Sequence, residues 1–240
     1  MAIRLYVDRP LVADTEFDLP AGAARHAQVR RVQPGDPLSL FDGGGADWPA
    51  EVLAMGRGTV RVRVGSPVPV ALELARPVTL AFGMPAGERV DALVEKATEL
   101  GVARLQPLHT GRSVLRLDGE RMQRRRAHWQ AIAVAACEQC GRACVPVVEP
   151  VRDFAEWLAP PAPGVIGWLL DPDREALAPA QARAGAAAVL ALSGPEGGLT
   201  EAERRQALAA GFVAVRLGPR VLRADTAPLA LLAWLAVGAA

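Results

Sequence analysis

Residues 186 to 200 constrain this 240-residue chain more than any other stretch. An apolar run, Ala186-Ala187-Ala188-Val189-Leu190-Ala191-Leu192-Ser193, ends in Gly194-Pro195-Glu196-Gly197-Gly198 and leads to Leu199-Thr200. The run reads as a buried strand, and the glycines and proline after it dictate a turn. Thr200 with Glu203 makes a capping box, which sets the start of a helix. Strand, glycine turn and helix in that order belong to a parallel sheet covered by helices.

The same rhythm fills residues 74–240. Strands at Val78–Gly83, Val102–Leu108, Gly164–Asp171, Ala187–Ser193 and Phe212–Leu217 alternate with helices at Glu88–Leu100, Gly119–Cys140, Thr200–Ala210 and Asp225–Val237. Gly101, Gly141 and Gly211 stand where helices should stop. The pattern predicts an α/β domain with helices on both faces of a parallel sheet. Residues 1–70 differ. Short apolar runs at Ile3–Val7, Leu38–Phe41, Glu51–Leu53 and Thr59–Val64, cut by Gly, Pro and Asp clusters, predict a β-rich unit closing as a compact β-barrel. Val60, Val62 and Val64 share one face of a strand, which leaves Arg61 and Arg63 on the other, facing solvent or RNA. Gly65-Ser66-Pro67-Val68-Pro69-Val70 reads as the linker, giving domains at 1–70 and 74–240.

With 51% hydrophobic and 22% charged residues the chain cannot be disordered. Its formal net charge of +1 advertises no nucleic acid globally, so an anionic partner must be met by a local patch. Lys96 is the only lysine among 27 basic residues; arginine's planar fork suits phosphate and base edges. Seven arginines (Arg104, Arg112, Arg116, Arg121, Arg124, Arg125, Arg126) face only Asp118 and Glu120 across residues 104–126, and helical spacing puts Arg121, Arg124 and Arg125 on one face. A solvated helix and a phosphate-binding face both fit.

Three cysteines and no charged-then-apolar leader predict a reducing, cytoplasmic setting. The longest apolar run, Ala227 to Ala240, is about 14 residues against the roughly 20 that span a bilayer, so it reads as a buried helix and no membrane partner is expected. Cys137, Cys140 and Cys144 lie near a helix end, and His26, His109 and His128 lack ligand-like spacing; packing is the expected role and no metal is predicted. Trp129, Ile132, Ala133 and Ala136 make a helical stripe suited to core or a dimer seam, and Lys96 with Glu99 a surface pair.

Ligands of parallel α/β sheets lie at the carboxyl ends of strands, where Gly194–Gly198 falls. On spacing alone this is either a tight structural turn or a ligand loop. Neither a phosphate-loop nor a dinucleotide-fold glycine motif is present, which disfavours phosphate binding. A second Gly/Pro turn, Gly218-Pro219-Arg220-Val221-Leu222-Arg223-Ala224-Asp225-Thr226-Ala227, follows the strand ending at Leu217. Two such turns could converge on one pocket walled by Leu192, Leu217, Leu222 and Ala227, with freed backbone groups reading an adenine edge.

The paired segments 194–200 and 217–227 resemble the signature of the RsmE family, small-subunit ribosomal RNA uridine N3-methyltransferases of the SPOUT superfamily. Lys96–Val102, Ala136–Arg142, and Val29-Arg30-Arg31 with Pro34-Gly35-Asp36 and Leu40–Gly43 match that family as well, the last group its PUA-like RNA-binding domain. The resemblance implies a trefoil-knotted SPOUT domain after a PUA-like β-barrel, S-adenosylmethionine as cofactor, 16S ribosomal RNA of the small subunit as substrate, and a homodimer. It places Leu192, Gly194, Pro195, Glu196, Gly197, Gly198, Leu217, Gly218, Leu222, Ala224, Thr226 and Ala227 around the cofactor. Arg112, Arg220 and Arg223 become candidates for charge stabilisation, Glu138 or Glu196 for proton acceptance, and Arg25, His26, Arg30, Arg31, Arg121, Arg124 and Arg125 for RNA contact. The chain departs from the family where its usual histidine is Arg25 with His26 beside it, where a leucine is Arg30, where Glu-Arg-Ser becomes Gly111-Arg112-Ser113, and where Glu-Thr-Ala becomes Asp225-Thr226-Ala227. A SPOUT ribose 2′-O-methyltransferase and a non-catalytic RNA-binding assembly factor are the alternatives.

Overall fold

A computed structural model describes residues 3–85, 89–113, 119–173, 175–178 and 188–237. Arg116 and Asp118 of the basic stretch, the expected helix start at Glu88 and the expected strand start at Ala187 lie outside the described residues. The chain divides into two compact units, residues 1–73 with 134–145, and residues 74–133 with 146–240.

The first unit is built on β1 (Ile3–Tyr6), β2 (Glu16–Asp18), α1 (Ala21–Val29), β3 (Pro37–Phe41), β4 (Ala46–Met55), β5 (Val60–Val64) and β6 (Val68–Pro69). The sheet order is β1-β3-β4-β5-β2, with β6 on β4; β1 and β3 run parallel and the other pairs antiparallel. Val60, Val62 and Val64 are buried while Arg61 and Arg63 point outward to Glu16 of β2, at 3.6 and 2.9 Å. That pairing is what a solvent-facing strand looks like. The helix α1 has no counterpart in the period-two reading. Its alanines Ala23, Ala24 and Ala27 sit on one face and pack among Leu5, Val52 and Val62. Alanine is both a strong helix former and small enough to seat a helix closely on a sheet.

Residues 134–145 pack with this unit. Arg4 Nη1 donates to the Cys137 carbonyl at 2.7 Å, and the Tyr6 amide donates to Glu138 Oε1 at 2.9 Å. Cys137 and Ala143 form a small buried cluster with Phe41, flanked by Tyr6, Val70 and Val145. Arg142, only 3% exposed, is neutralised by both carboxylate oxygens of Glu73, an arrangement that a buried guanidinium requires.

The second unit contains β7 (Val78–Gly83), α2 (Arg89–Glu99), β8 (Arg104–His109), the long α3 (Gly119–Cys140) as far as Ala133, its later residues belonging to the first unit, β9 (Val147–Val148), β10 (Arg152–Asp153), α4 (Phe154–Trp157), β11 (Val165–Leu170), β12 (Ala188–Ser193), α5 (Glu201–Ala209), β13 (Val213–Val215) and α6 (Thr226–Val237). Its strands pair in parallel in the order β10-β8-β7-β12-β11-β13, with β9 on β8. Alternate residues feed two cores. Leu80, Phe82 and Ala191 join Val94, Trp129, Leu231 and Leu232 on one face, and Ala81 and Leu192 join Phe154, Ala207 and Phe212 on the other. Helices therefore cover both faces, as the alternating pattern predicts. Gly101, Gly141 and Gly211, at φ of +90°, +94° and +95°, follow α2, α3 and α5. Asp91 accepts from Trp129 Nε1 at 3.0 Å and lies 2.8 Å from His128 Nε2, tying α2 to α3. The apolar C-terminal run forms α6, which buries Pro228, Leu231, Leu232 and Leu235 and leaves Val237 exposed.

Candidate active site

The strand order turns back at the β7–β12 pair, the kind of position where parallel α/β sheets hold ligands. The ends of β12, β13, β8 and β11 contribute there. After β12, Gly198 donates its amide to the Pro195 carbonyl at 2.8 Å and takes φ +70°, closing a tight turn. Gly194 lies so close to the returning chain that a Cβ on it would fall 2.7 Å from the Leu199 nitrogen. Thr200 then caps α5, with its side chain accepting from the Glu203 amide and the Glu203 carboxylate accepting from the Thr200 amide. The capping box read in the sequence is formed.

After β13 the chain bends at Gly218, φ +79°, and reaches α6 through Arg223, whose carbonyl accepts from the amides of Thr226 and Ala227 at 3.0 Å each. From Leu217 to Asp225 no backbone N–H donates a hydrogen bond among the described residues.

After β8, Thr110 to Ser113 form a small turn in which the Ser113 hydroxyl accepts from the Thr110 amide at 3.1 Å. Arg112 projects from it and donates to the Gly197 carbonyl at 2.7 Å. The end of β7 makes this meeting possible, because a Cβ on Gly83 would lie 2.5 Å from Pro195 Cδ and 3.1 Å from Thr110 Cγ2.

These loops enclose one cavity of about 670 Å3. Of the residues expected around a cofactor, Gly194, Pro195, Glu196, Gly197, Gly198, Leu217, Leu222, Ala224 and Ala227 line it, together with the candidate cations Arg112, Arg220 and Arg223. Leu192, Gly218 and Thr226 do not. Leu192 is fully buried in the second core, Gly218 makes the bend, and Thr226 opens α6 with its side toward solvent. Glu138 is not brought to this cavity; its carboxylate serves the first unit, accepting from Tyr6 and pairing with His26 Nδ1 at 3.3 Å.

The structure also adds residues that the sequence reading misses. Leu169, Leu170, Asp171 and Pro172 come from the end of β11, and Arg89, Ser193, Leu199, Arg204, Val215, Arg216 and Val221 complete the wall. A signal for the first group is present in the sequence, since Leu170-Asp171-Pro172 is a third strand end obeying the same rule as the other two. The wall carries six arginines and two carboxylates. Asp171 accepts from Arg204 Nε at 2.6 Å and Asp173 from its Nη2 at 3.2 Å; the hydrogen bond to Asp171 raises the guanidinium's affinity for its proton. Glu196 lies 3.3 Å from Arg89.

The RNA candidates divide between the two units. Arg25 and His26 sit on α1, with Arg30 and Arg31 just past it, Arg31 in the left-handed region at φ +57°. Arg121, Arg124 and Arg125 occupy the first turns of α3; Arg124 pairs with Glu120 at 2.7 Å, whereas Arg121 and Arg125 have no partner among the described residues. Arg104 pairs with Glu149 and Arg126 donates to the Val148 carbonyl, so these two serve the fold. Lys96 bridges Glu95 and Glu99 as a surface pair. Cys137 is buried and its thiol is pushed up to about 12 by burial, the signature of a packing residue. Among the described residues no group of three or more His, Cys, Asp or Glu could hold a metal ion, and no helix is long and apolar enough to cross a membrane.

The family description "RNA methyltransferase domain" matches residues 72–236, and "RNA methyltransferase PUA domain" matches residues 19–65. The chain belongs to the RsmE family. It is 35% identical over 239 residues to the ribosomal RNA small subunit methyltransferase E of Synechocystis sp., covering 97% of this chain and 77% of that protein. To the RsmE protein of Bacillus subtilis it is 31% identical over 221 residues, covering 89% and 86%. A crystal structure of an RsmE protein from Neisseria gonorrhoeae bound to S-adenosyl methionine superposes with a TM-score of 0.92 at 36% identity, covering 97% of this chain and 96% of that one. The two family matches fall on the two parts of the chain described above, the methyltransferase domain on the parallel α/β sheet and the PUA domain on the first unit.

Proposed function

We propose that this chain is an S-adenosylmethionine-dependent methyltransferase that modifies N3 of a specific uridine of 16S ribosomal RNA in the small ribosomal subunit. The observation that carries the reading is the convergence of segments 194–198 and 217–227 on one cavity. Its volume suits a nucleoside-sized molecule, its second loop offers main-chain donors with no partner among the described residues, and Leu217 and Leu222 give it apolar walls, so the residues present fit this cofactor. Main-chain groups of Leu217, Leu222 and Ala224 would hold the purine edge, with Gly194–Gly198 against the remainder. We carry into the proposal the trefoil knot that the family resemblance implies for these loops.

When bound, the cofactor supplies an activated methyl group on a sulfonium. The protein's own task is then positioning and electrostatics. Uracil N3 carries a proton at neutral pH, and negative charge grows on O2 and O4 as it leaves. Arg112, Arg220 and Arg223 line the cavity to stabilise that charge, and Arg112 is already anchored by Gly197. Of the two candidate proton acceptors Glu196 lies on the cavity wall, so we assign the step to it and leave Glu138 with His26.

Arg25, His26, Arg30 and Arg31 of the PUA-like unit and Arg121, Arg124 and Arg125 of α3 are assigned to RNA contact. Two copies associate in this reading. It is supported by α6, which has no charged residue from Thr226 to Val237 and buries only part of its circumference. A ribosomal substrate places the enzyme in the cytoplasm. Mass spectrometry of ribosomal RNA from cells lacking the protein tests the proposal. Loss of 3-methyluridine, restored by the wild-type chain, is the expected result; an unchanged 3-methyluridine content, or loss of a ribose-methylated nucleoside instead, would overturn it.

A further inference from the structure

Glu203 does more than cap α5. A capping box needs one carboxylate oxygen on the amide of the cap residue, and Oε2 fills that part, accepting from the Thr200 amide at 2.8 Å and lying 2.9 Å from the Thr200 hydroxyl. The other oxygen, Oε1, accepts from the amide of Gly111 at 2.7 Å, 92 residues earlier in the chain. Gly111 precedes Arg112. One side chain thus binds the turn after β8 and the turn after β12 at the same time.

The approach is close. A Cβ at Gly111 would stand 3.0 Å from Thr200 Cγ2 and 3.6 Å from both Glu203 oxygens. The Thr110–Ser113 turn is stiff in itself, since the Ser113 amide donates to the Thr110 carbonyl at 3.1 Å and the two hydroxyls lie 2.9 Å apart. A rigid turn held at one point by Glu203 carries Arg112 to its second anchor, the Gly197 carbonyl at 2.7 Å. We infer that Glu203 is a positioning residue for methyl transfer, fixing the backbone of Arg112 against the glycine turn so that its guanidinium meets the cavity without reorganising. A charge stabiliser is effective when it is held in place before the reaction.

The inference rests on the reading of Arg112 as a charge stabiliser, and the test separates the two. Single-turnover methylation of small ribosomal subunits is measured with the full chain and its R112A, E203Q and R112A/E203Q variants, alongside calorimetric titration with S-adenosylmethionine. The carboxamide of the E203Q variant keeps one acceptor oxygen and cannot receive both amides. The expected result is a rate loss of about tenfold in E203Q with cofactor affinity within about twofold, and no further loss when E203Q is added to R112A. A rate within about twofold of wild type in E203Q, or losses that multiply in the double variant, would overturn the positioning role. An unchanged rate in R112A alone would instead remove Arg112 from the chemistry, and the positioning role with it. Should E203Q not accumulate as folded protein, E203D, which keeps the charge but cannot span both turns, takes its place with the same outcomes.

Discussion

Arg112 donates from Nη1 to the carbonyl oxygen of Gly197 at 2.7 Å, so the only charged side chain of the turn after β8 lies across the glycine turn after β12. Neither partner is near the other in sequence, and the contact exists because β7, paired to both β8 and β12, sets the two strand ends side by side. Replacing Arg112 by Ala removes a preorganised cation while leaving the backbone of the glycine turn intact. Turnover should fall by about 100-fold, the cost of losing one such donor, with cofactor affinity nearly unchanged. Single-turnover kinetics beside calorimetry reads both quantities.

Gly83→Ala should disturb the same meeting from below. The added methyl would lie 2.5 Å from the ring of Pro195 and 2.8 Å from its nitrogen, so the turn has to move. A loss of about 1 to 3 kcal/mol in stability is expected for overpacking of this kind. The rise in melting temperature on adding S-adenosylmethionine should shrink as well, and an undiminished rise would show that the turn tolerates displacement.

Alkaline stability follows from Cys137. Burial pushes its thiol up to about 12 from an ordinary value of 9.0, so the folded state holds the proton more tightly than the unfolded chain. The contribution is complete below about pH 9 and is lost as pH rises from there to about 12, because the unfolded thiol ionises first. Urea denaturation between pH 8 and 10.5 should show the wild type losing stability relative to Cys137→Ala across the upper half of that range. Parallel curves would mean the thiol is not sequestered.

Arg121 and Arg125 have no partner among the described residues, unlike Arg104 and Arg126 on the same charged stretch. Charge reversal of both should weaken binding to the small subunit and lower the slope of log affinity against log salt by about one for each phosphate no longer neutralised. Binding measured from low to physiological salt gives the slope; an unaltered one assigns these residues to a solvated face.

The second unit was legible because its signals are local. Gly194–Gly198, the Thr200/Glu203 box and the glycines at 101, 141 and 211 each fix a strand end or helix end by themselves. Three things were not. The helix Ala21–Val29 is too short, and too rich in alanine, to show a contrast between an apolar and a polar face. Asp171 and Arg204 reach the cavity through a pairing between β11 and α5 that no spacing encodes. Glu138 sits in a family motif beside Cys137 and Cys140, yet whether its carboxylate faced the cavity or the first sheet depended on how α3 is turned, which motif spacing does not report.

The first compact unit is not continuous in the chain: residues 134–145 supply the carboxylate for the Tyr6 amide, the carbonyl for Arg4 and the small side chains that pack beneath Phe41. During synthesis its opening strands must therefore wait, with these groups unmatched, while some sixty residues of the other unit leave the ribosome. An amino-terminal fragment cut at residue 73 would inherit the same deficit permanently, and the order in which the two units mature is written into where the polypeptide crosses between them.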